Sequence, residues 1–326
     1  MTAQLDLGCS DAIVGVAAFG LPGSLTSLPS APLPPEAWAR LVMDVRAHNL
    51  AGLLGAAVAA EAMPVTEEQA RNAHDLVATR RTQSRQVEEA IVETVELLAS
   101  AGIDTRVLHS PAAGRLDYKA PLTRIADTAE LLLPHGRRAE ARTILEARNY
   151  RPRLAAARDG SGPNGPTRYT ATNGSHVVLL SHPAWLKSAA SELWKRFETF
   201  EINGRQLRAL AREERLFDTC ARAVDAEHDL GCKRDVAEAV LHADLSAQRA
   251  VHLAEAWGVG PLLATSVHTT WVDLQLADVV ALSTWARSSQ HHDQRRTASG
   301  RPSRGAIPRQ RGLLARAFDL LPGTMR

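Results

Sequence analysis

"VLHSPAAGRLDYKAPLTRIADTAELLLP", residues Val107 to Pro134, changes period twice within 28 residues. Thr105 to His109 and Thr128 to Leu133 are short runs that read as strands. Between them a turn of small residues leads into a short helix, Ala112 to Tyr118, and Arg124 stands in the loop that returns to the second strand. Strand, tight turn, helix and second strand in that order suit a centre that handles a nucleotide and a metal. Backbone amides of such a turn can approach phosphate, and carboxylates on the second strand can share hard cations.

Working outward, residues 1–35 are rich in Gly, Ser and Pro, end in "SLPSAPLPP", and predict a flexible lead-in. Pro34 and Pro35 stand where a helix from Glu36 begins. Thr66 to Gln69 spells a capping box, and the helix it opens repeats Val87, Ile91, Val95 and Leu98 on one face until Gly102 ends it. Downstream, Arg137 to Arg148 reads as a helix, "RDGSGPNGPT" as a linker, and two β-rich runs flank Asn173-Gly174, a strong hairpin signal. That makes a sheet of about four strands. From Trp185 on the pattern predicts helices at Ser191–Phe197, Gln206–Val224, Lys233–Ala243, Leu245–Trp257 and Leu262–Trp285. The expected organisation is a lead-in (1–35), N-terminal helices (36–102), an α/β core (103–184), a C-terminal helical domain (185–286) and a basic, mostly disordered tail (287–326).

The chain has 326 residues, 45% of them hydrophobic, enough for a sizeable core. Its longest apolar stretch, Leu50 to Ala60, is shorter than the ~20 residues a bilayer span needs. No secretory leader is legible, and Cys9, Cys220 and Cys232 suit a reducing compartment, so a cytoplasmic protein without a membrane span is expected. Cys220, His228 and Cys232 match no common zinc spacing. The net charge of +2 is uneven: from Arg287 on, nine Arg face only Asp293 and Asp319, leaving the body acidic. Such a tail can bind nucleic acid through counterion release. An Arg-rich, weakly hydrophobic terminus is more often a solvated one, so nucleic acid is not favoured as a partner. The Gly-rich stretches at 20–24 and 160–165 neither follow a strand nor open a helix, as a phosphate loop must.

The order of several short motifs adds to this reading. "SAGIDTRVLHSPAAGRLDY", "LTRIADTAELLLP", "ARTILEARNYRP", "VLLSH", "SELWKRFE", "KRDVAEAV" and "DLSAQRAVHLAEAWG" follow one another between residues 100 and 258. In this series the chain resembles the uncharacterised nucleotidyltransferases of the polymerase-β-type superfamily, over roughly residues 36 to 285. The resemblance implies an α+β fold, with a small mixed β-sheet core of nucleotidyltransferase type between an N-terminal helical segment and a C-terminal helical domain. It also implies transfer of a nucleoside monophosphate from a Mg²⁺-bound nucleoside triphosphate to a small-molecule, peptide or protein acceptor. That chemistry is mostly positioning and charge neutralisation, supplied by two metal ions on carboxylates.

Matched to the family's paired acids, Glu130 takes the second acidic position and Thr128 the first. Asp127, one residue earlier, faces inward only if the strand bulges. Glu130 and Asp127 are therefore the candidate catalytic and metal-binding residues. His109 and Ser110 stand where the family pattern has Lys and Gly. Arg124 matches an Arg position, where it either contacts phosphate or pairs with Glu130 or Asp127. His182 is either part of the nucleotide site or a satisfied histidine at a strand end. These four are the candidate nucleotide-binding residues. The expected position of a third acid holds Leu180-Ser181-His182, without a carboxylate. Two functions remain: a nucleotidyltransferase using Mg²⁺ and a nucleoside triphosphate, with full or impaired activity, or a catalytically inactive relative serving as a binding or partner protein in a biosynthetic or modification pathway.

Overall fold

The computed structural model describes residues 11–153, 166–183, 185, 186 and 191–298. Helices α1 (Asp11–Ala18), α2 (Pro35–Ala47), α3 (Ala51–Ala59) and α4 (Glu67–Ser100) come first. The capping box forms: Gln69 N donates to Thr66 Oγ1 and Thr66 N donates to Gln69 Oε1, each at 3.2 Å. From it α4 runs 34 residues, about 50 Å at ~1.5 Å per residue. Its second half buries Val87, Ile91 and Leu98 beneath the sheet. The lead-in is not uniformly flexible. "DAIVGVAA" folds as α1 and buries Ile13, Val16 and Ala17, because an eight-residue apolar run outweighs the Gly- and Pro-rich composition around it.

The α/β part follows as β1 (Arg106–Val107), α5 (Ser110–Leu116), β2 (Ala129–Leu132), α6 (Arg138–Ala147), β3 (Arg151–Arg153), β4 (Thr167–Thr170) and β5 (His176–Leu180). After α7 (Glu192–Lys195), two strands return, β6 (Glu198–Ile202) and β7 (Arg205–Ala209). The helices α8 (Arg212–Asp225), α9 (Leu230–Leu241), α10 (Ala247–Ala256), α11 (Gly260–Asp273) and α12 (Ala281–Ala298) complete the described chain.

The fold is mixed α/β around one seven-stranded sheet of order β3-β4-β5-β2-β1-β7-β6, larger than the four strands expected. The β2–β5 and β1–β7 pairs are parallel and the others antiparallel. The helix expected over Gln206–Val224 begins only at Arg212. The residues before it alternate: Phe200, Ile202, Leu207 and Ala209 are buried while Thr199, Glu201, Arg205 and Arg208 are exposed. Asn203 and Gly204, at φ 51° and 76°, make the turn between them with the positive φ such a hairpin requires.

Two apolar clusters hold the molecule. One packs Leu131, Leu133, Val177, Leu179 and Tyr169 of the sheet against α4 and Leu145 of α6. The other joins α1, α2 and α3 to α8, α9 and α11 around Leu41, Leu54, Phe217, Val236 and Leu263. Helices from both ends of the sequence thus share one core, and the sheet stands beside it. The basic segment starts as helix α12, whereas residues 299–326 lie outside the described residues, as do 1–10 and the Gly-rich linker at 154–165. No helix among the described residues is long and apolar enough to cross a membrane.

Candidate active site

Strand β1 is continued by Leu108, whose N–H donates to Glu130 O at 3.0 Å. His109 then reverses the chain at φ 56° and ψ −141°, a region that costs a side chain about 1–3 kcal/mol. The left-handed position is therefore His109, one residue before Ser110, where the family pattern placed glycine. Helix α5 starts at Ser110, and His109 O accepts from Ala113 N at 2.8 Å.

The turn aims the imidazole into a buried cluster of charges. His109 Nε2 lies 3.0 Å from Glu130 Oε2, and Nδ1 lies 3.2 Å from Asp218 Oδ2. On the far side of Glu130, Arg222 Nη1 stands 3.6 Å from Oε1. The other oxygen of Asp218 accepts from Trp185 Nε1 at 3.1 Å, and that indole stacks on Trp257. Asp218 and Arg222 come from one face of α8, which Arg215 pins to the end of α5 through a buried pair with Asp117.

Asp127 sits just before β2. It accepts from Ser110 Oγ at 2.7 Å and Thr128 Oγ1 at 3.2 Å on one oxygen, and from Asn49 Nδ2 at 2.8 Å on the other. Asn49, at φ 54° between α2 and α3, in turn accepts from Arg80 Nη2 of α4 at 2.7 Å. The N-terminal helices thus supply second-layer contacts that the motif pattern does not contain.

Charge states follow from these neighbours. Burial works against ionisation of Glu130, but His109 and Arg222 outweigh it and hold the carboxyl at about 2. Burial is likewise overcome at Asp127, where Arg124, Arg222 and the Ser110 and Thr128 hydroxyls keep the carboxyl well below its ordinary value. At His109 burial disfavours the imidazolium, yet Glu130 and Asp218 raise its proton affinity above the ordinary value. Asp218 moves the other way, upward, because its burial exceeds the help from His109.

The residues singled out in the sequence do not all meet. Glu130, Asp127, His109 and Ser110 converge. Arg124 does not turn to either acid of that set. Its Nε and Nη2 clamp Asp235 of α9 at 2.7 and 2.9 Å, and Tyr118 Oη donates to the same carboxylate at 2.7 Å. The partner is thus neither Glu130 nor Asp127. His182 lies elsewhere: Glu130 is in register with Val178, so His182 stands four residues farther along, roughly 13 Å at ~3.3 Å per residue. There its Nδ1 is 2.7 Å from Pro183 O, in a cleft lined by Leu132, Pro134 and Trp194. The β5 end carries no third acid; the further carboxylate at this cluster is Asp218 of α8, which sequence reasoning overlooked inside a charge-rich helix.

Divalent metal fits this arrangement poorly. Both oxygens of Glu130 face cationic groups, both oxygens of Asp127 accept hydrogen bonds, and the imidazole fills the space between Glu130 and Asp218. Among the described residues, no group of three or more His, Cys, Asp or Glu side chains is arranged to hold a metal ion.

No curated protein matches the sequence. Among solved structures, the chain is similar to ANT(2")-Ia in complex with adenylyl-2"-tobramycin, with 18% identity over 52% of this chain and 96% of that one, at a TM-score of 0.38. An antigenic nucleotidyltransferase-like protein from Paracoccidioides brasiliensis matches with 14% identity over 56% and 91% of the two chains, at a TM-score of 0.36. The family model for uncharacterised nucleotidyltransferases matches residues 34–270, well over half of the chain. The protein belongs to that family of uncharacterised nucleotidyltransferases.

Proposed function

We propose that this chain keeps the nucleotidyltransferase fold as a binding or partner module and does not transfer a nucleoside monophosphate by the two-metal route. The observation that carries this is Glu130. The one acid that matches the family's paired positions is held by His109 on one oxygen and faces Arg222 on the other. A carboxylate so neutralised has little left to offer a second cation, and stripping it of those partners would leave a buried charge unpaired, a costly state. The ligand class that family membership suggests is a nucleoside triphosphate. The buried free thiols Cys220 and Cys232 agree with a cytoplasmic setting.

A second reading, transfer from Mg²⁺-bound nucleoside triphosphate to a small-molecule, peptide or protein acceptor, is favoured by one observation. Asp127 and Glu130 from the β2 segment and Asp218 from α8 gather around one buried centre, the number of acids that two-metal chemistry uses. Calorimetric titration with ATP and GTP, with and without Mg²⁺, on wild type and Glu130→Ala separates the two. Binding that is absent or indifferent to Mg²⁺, with no pyrophosphate released, is expected. Mg²⁺-dependent binding abolished by Glu130→Ala, with pyrophosphate release, would establish the enzyme instead.

A further inference from the structure

We propose that the His109 side chain occupies the place a divalent ion would take between Glu130 and Asp218. The wild-type protein then takes no such ion there, and removing the imidazole opens a divalent-cation site. The inference rests on the preceding reading of Glu130 and gives it a cause.

Three observations carry it. First, both ring nitrogens lie within hydrogen-bond distance of a carboxylate oxygen, at 3.0 and 3.2 Å. The ring thus stands between the two carboxylates, where an ion shared by them would have to sit. Secondly, the three side chains are 12%, 16% and 8% exposed, so the ring is enclosed between the carboxylates and little water reaches them. Thirdly, the ring is held there against a backbone preference. At φ 56° and ψ −141° glycine would be unstrained, so the surrounding structure over-determines the placement of this side chain. Arg222 extends the substitution to the second oxygen of Glu130. With the imidazole gone, Glu130 and Asp218 lose the group between them, and Asp127 lies near enough for its charge to act on Glu130.

The test uses the full chain and Mn²⁺ alone, followed by loss of the free-ion signal in electron paramagnetic resonance. Wild type is expected to leave that signal unchanged. His109→Gly, chosen because glycine suits the backbone there, is expected to bind Mn²⁺ at least about tenfold more tightly than wild type, and to lose that binding when Glu130→Gln is added. Wild-type binding that Glu130→Gln removes would overturn the proposal, as would a folded His109→Gly with no more Mn²⁺ affinity than wild type. Should His109→Gly fail to fold, His109→Asn, whose side chain tolerates positive φ, is titrated with Mn²⁺ in its place: tighter binding than wild type is expected, and a folded variant with no gain overturns the idea. Failure of the variant to bind Mn²⁺ leaves the non-transfer reading standing. Mg²⁺-dependent nucleotide turnover by wild type is what removes that reading.

Discussion

Replacing Asp235 with Ala should destabilise the protein by about 3–5 kcal/mol, the cost of leaving one partner of a buried ion pair without the other. The structure puts the pair in this range. Arg124 and Asp235 side chains are 5% and 4% exposed, two parallel N–H···O contacts of 2.7 and 2.9 Å join them, and Tyr118 adds a third bond at 2.7 Å. Truncation strands the guanidinium, whose remaining acceptor among the described residues is Ile125 O at 3.4 Å. Charge-assisted bonds of this kind contribute about 1.5–3 kcal/mol each, but three on one carboxylate do not add, and the paired-charge figure is the better guide. Asp235→Asn keeps the shape and some of the bonding and should lose clearly less. Arg124→Met combined with Asp235→Leu removes both charges, and should sit much closer to wild type than Asp235→Ala does. Urea unfolding, with the slope checked for constancy across the set, measures all four proteins. A loss below about 1 kcal/mol for Asp235→Ala, or a double variant as unstable as the single one, would refute the reasoning and return Arg124 to the nucleotide site as a free cation.

His109→Gly should be about 1–3 kcal/mol more stable than His109→Ala, since both lose the ion pairs but only glycine relieves φ 56°; equal unfolding midpoints would deny the strain. Stability should also fall on both sides of a plateau in pH. The contribution of His109, whose value is raised by Glu130 and Asp218 over the opposition of burial, is complete below its ordinary 6.5 and disappears as pH rises through the raised value. That of Glu130, held at about 2 although burial opposes ionisation, is complete above its ordinary 4.5 and disappears as pH falls toward 2. In a series of urea midpoints against pH, His109→Ala should lose the alkaline limb, and an unchanged limb would show that some other group carries it. Gly52→Ala should cost about 1–3 kcal/mol by overpacking, because a Cβ there would stand 2.4 Å from Thr123 O; a thermal midpoint equal to wild type would mean that α3 or the 121–123 loop yields freely.

What could be read in advance, and what could not, follows from how local each signal is. The Thr66 capping box and the strand–turn–helix–strand around Val107 to Leu133 are local patterns, and each has its counterpart in the fold. The β6–β7 hairpin carried an equally local sign, Asn203-Gly204, but one face of it is solvated, so Arg205, Gln206 and Arg208 dilute the alternation and read as helix. Asp218 had no such sign. In "REERLFDTCARAVD" it is one charge among many, and only its placement with Arg222, one helical turn on, beside the buried Phe217 and Cys220 hints that this charged face points inward. Its partner His109 lies more than a hundred residues away, a distance that no period can encode. Arg124 shows the complementary difficulty: its position in the motif was legible, but which anion it serves depends on α9 packing against α5, and α9 brings Asp235. A motif therefore tells which side chains are gathered, while the charge each one faces is set by helices from elsewhere in the chain. At this centre α8 brings Arg222 to Glu130 and Asp218 to His109, contacts that the family pattern alone does not contain.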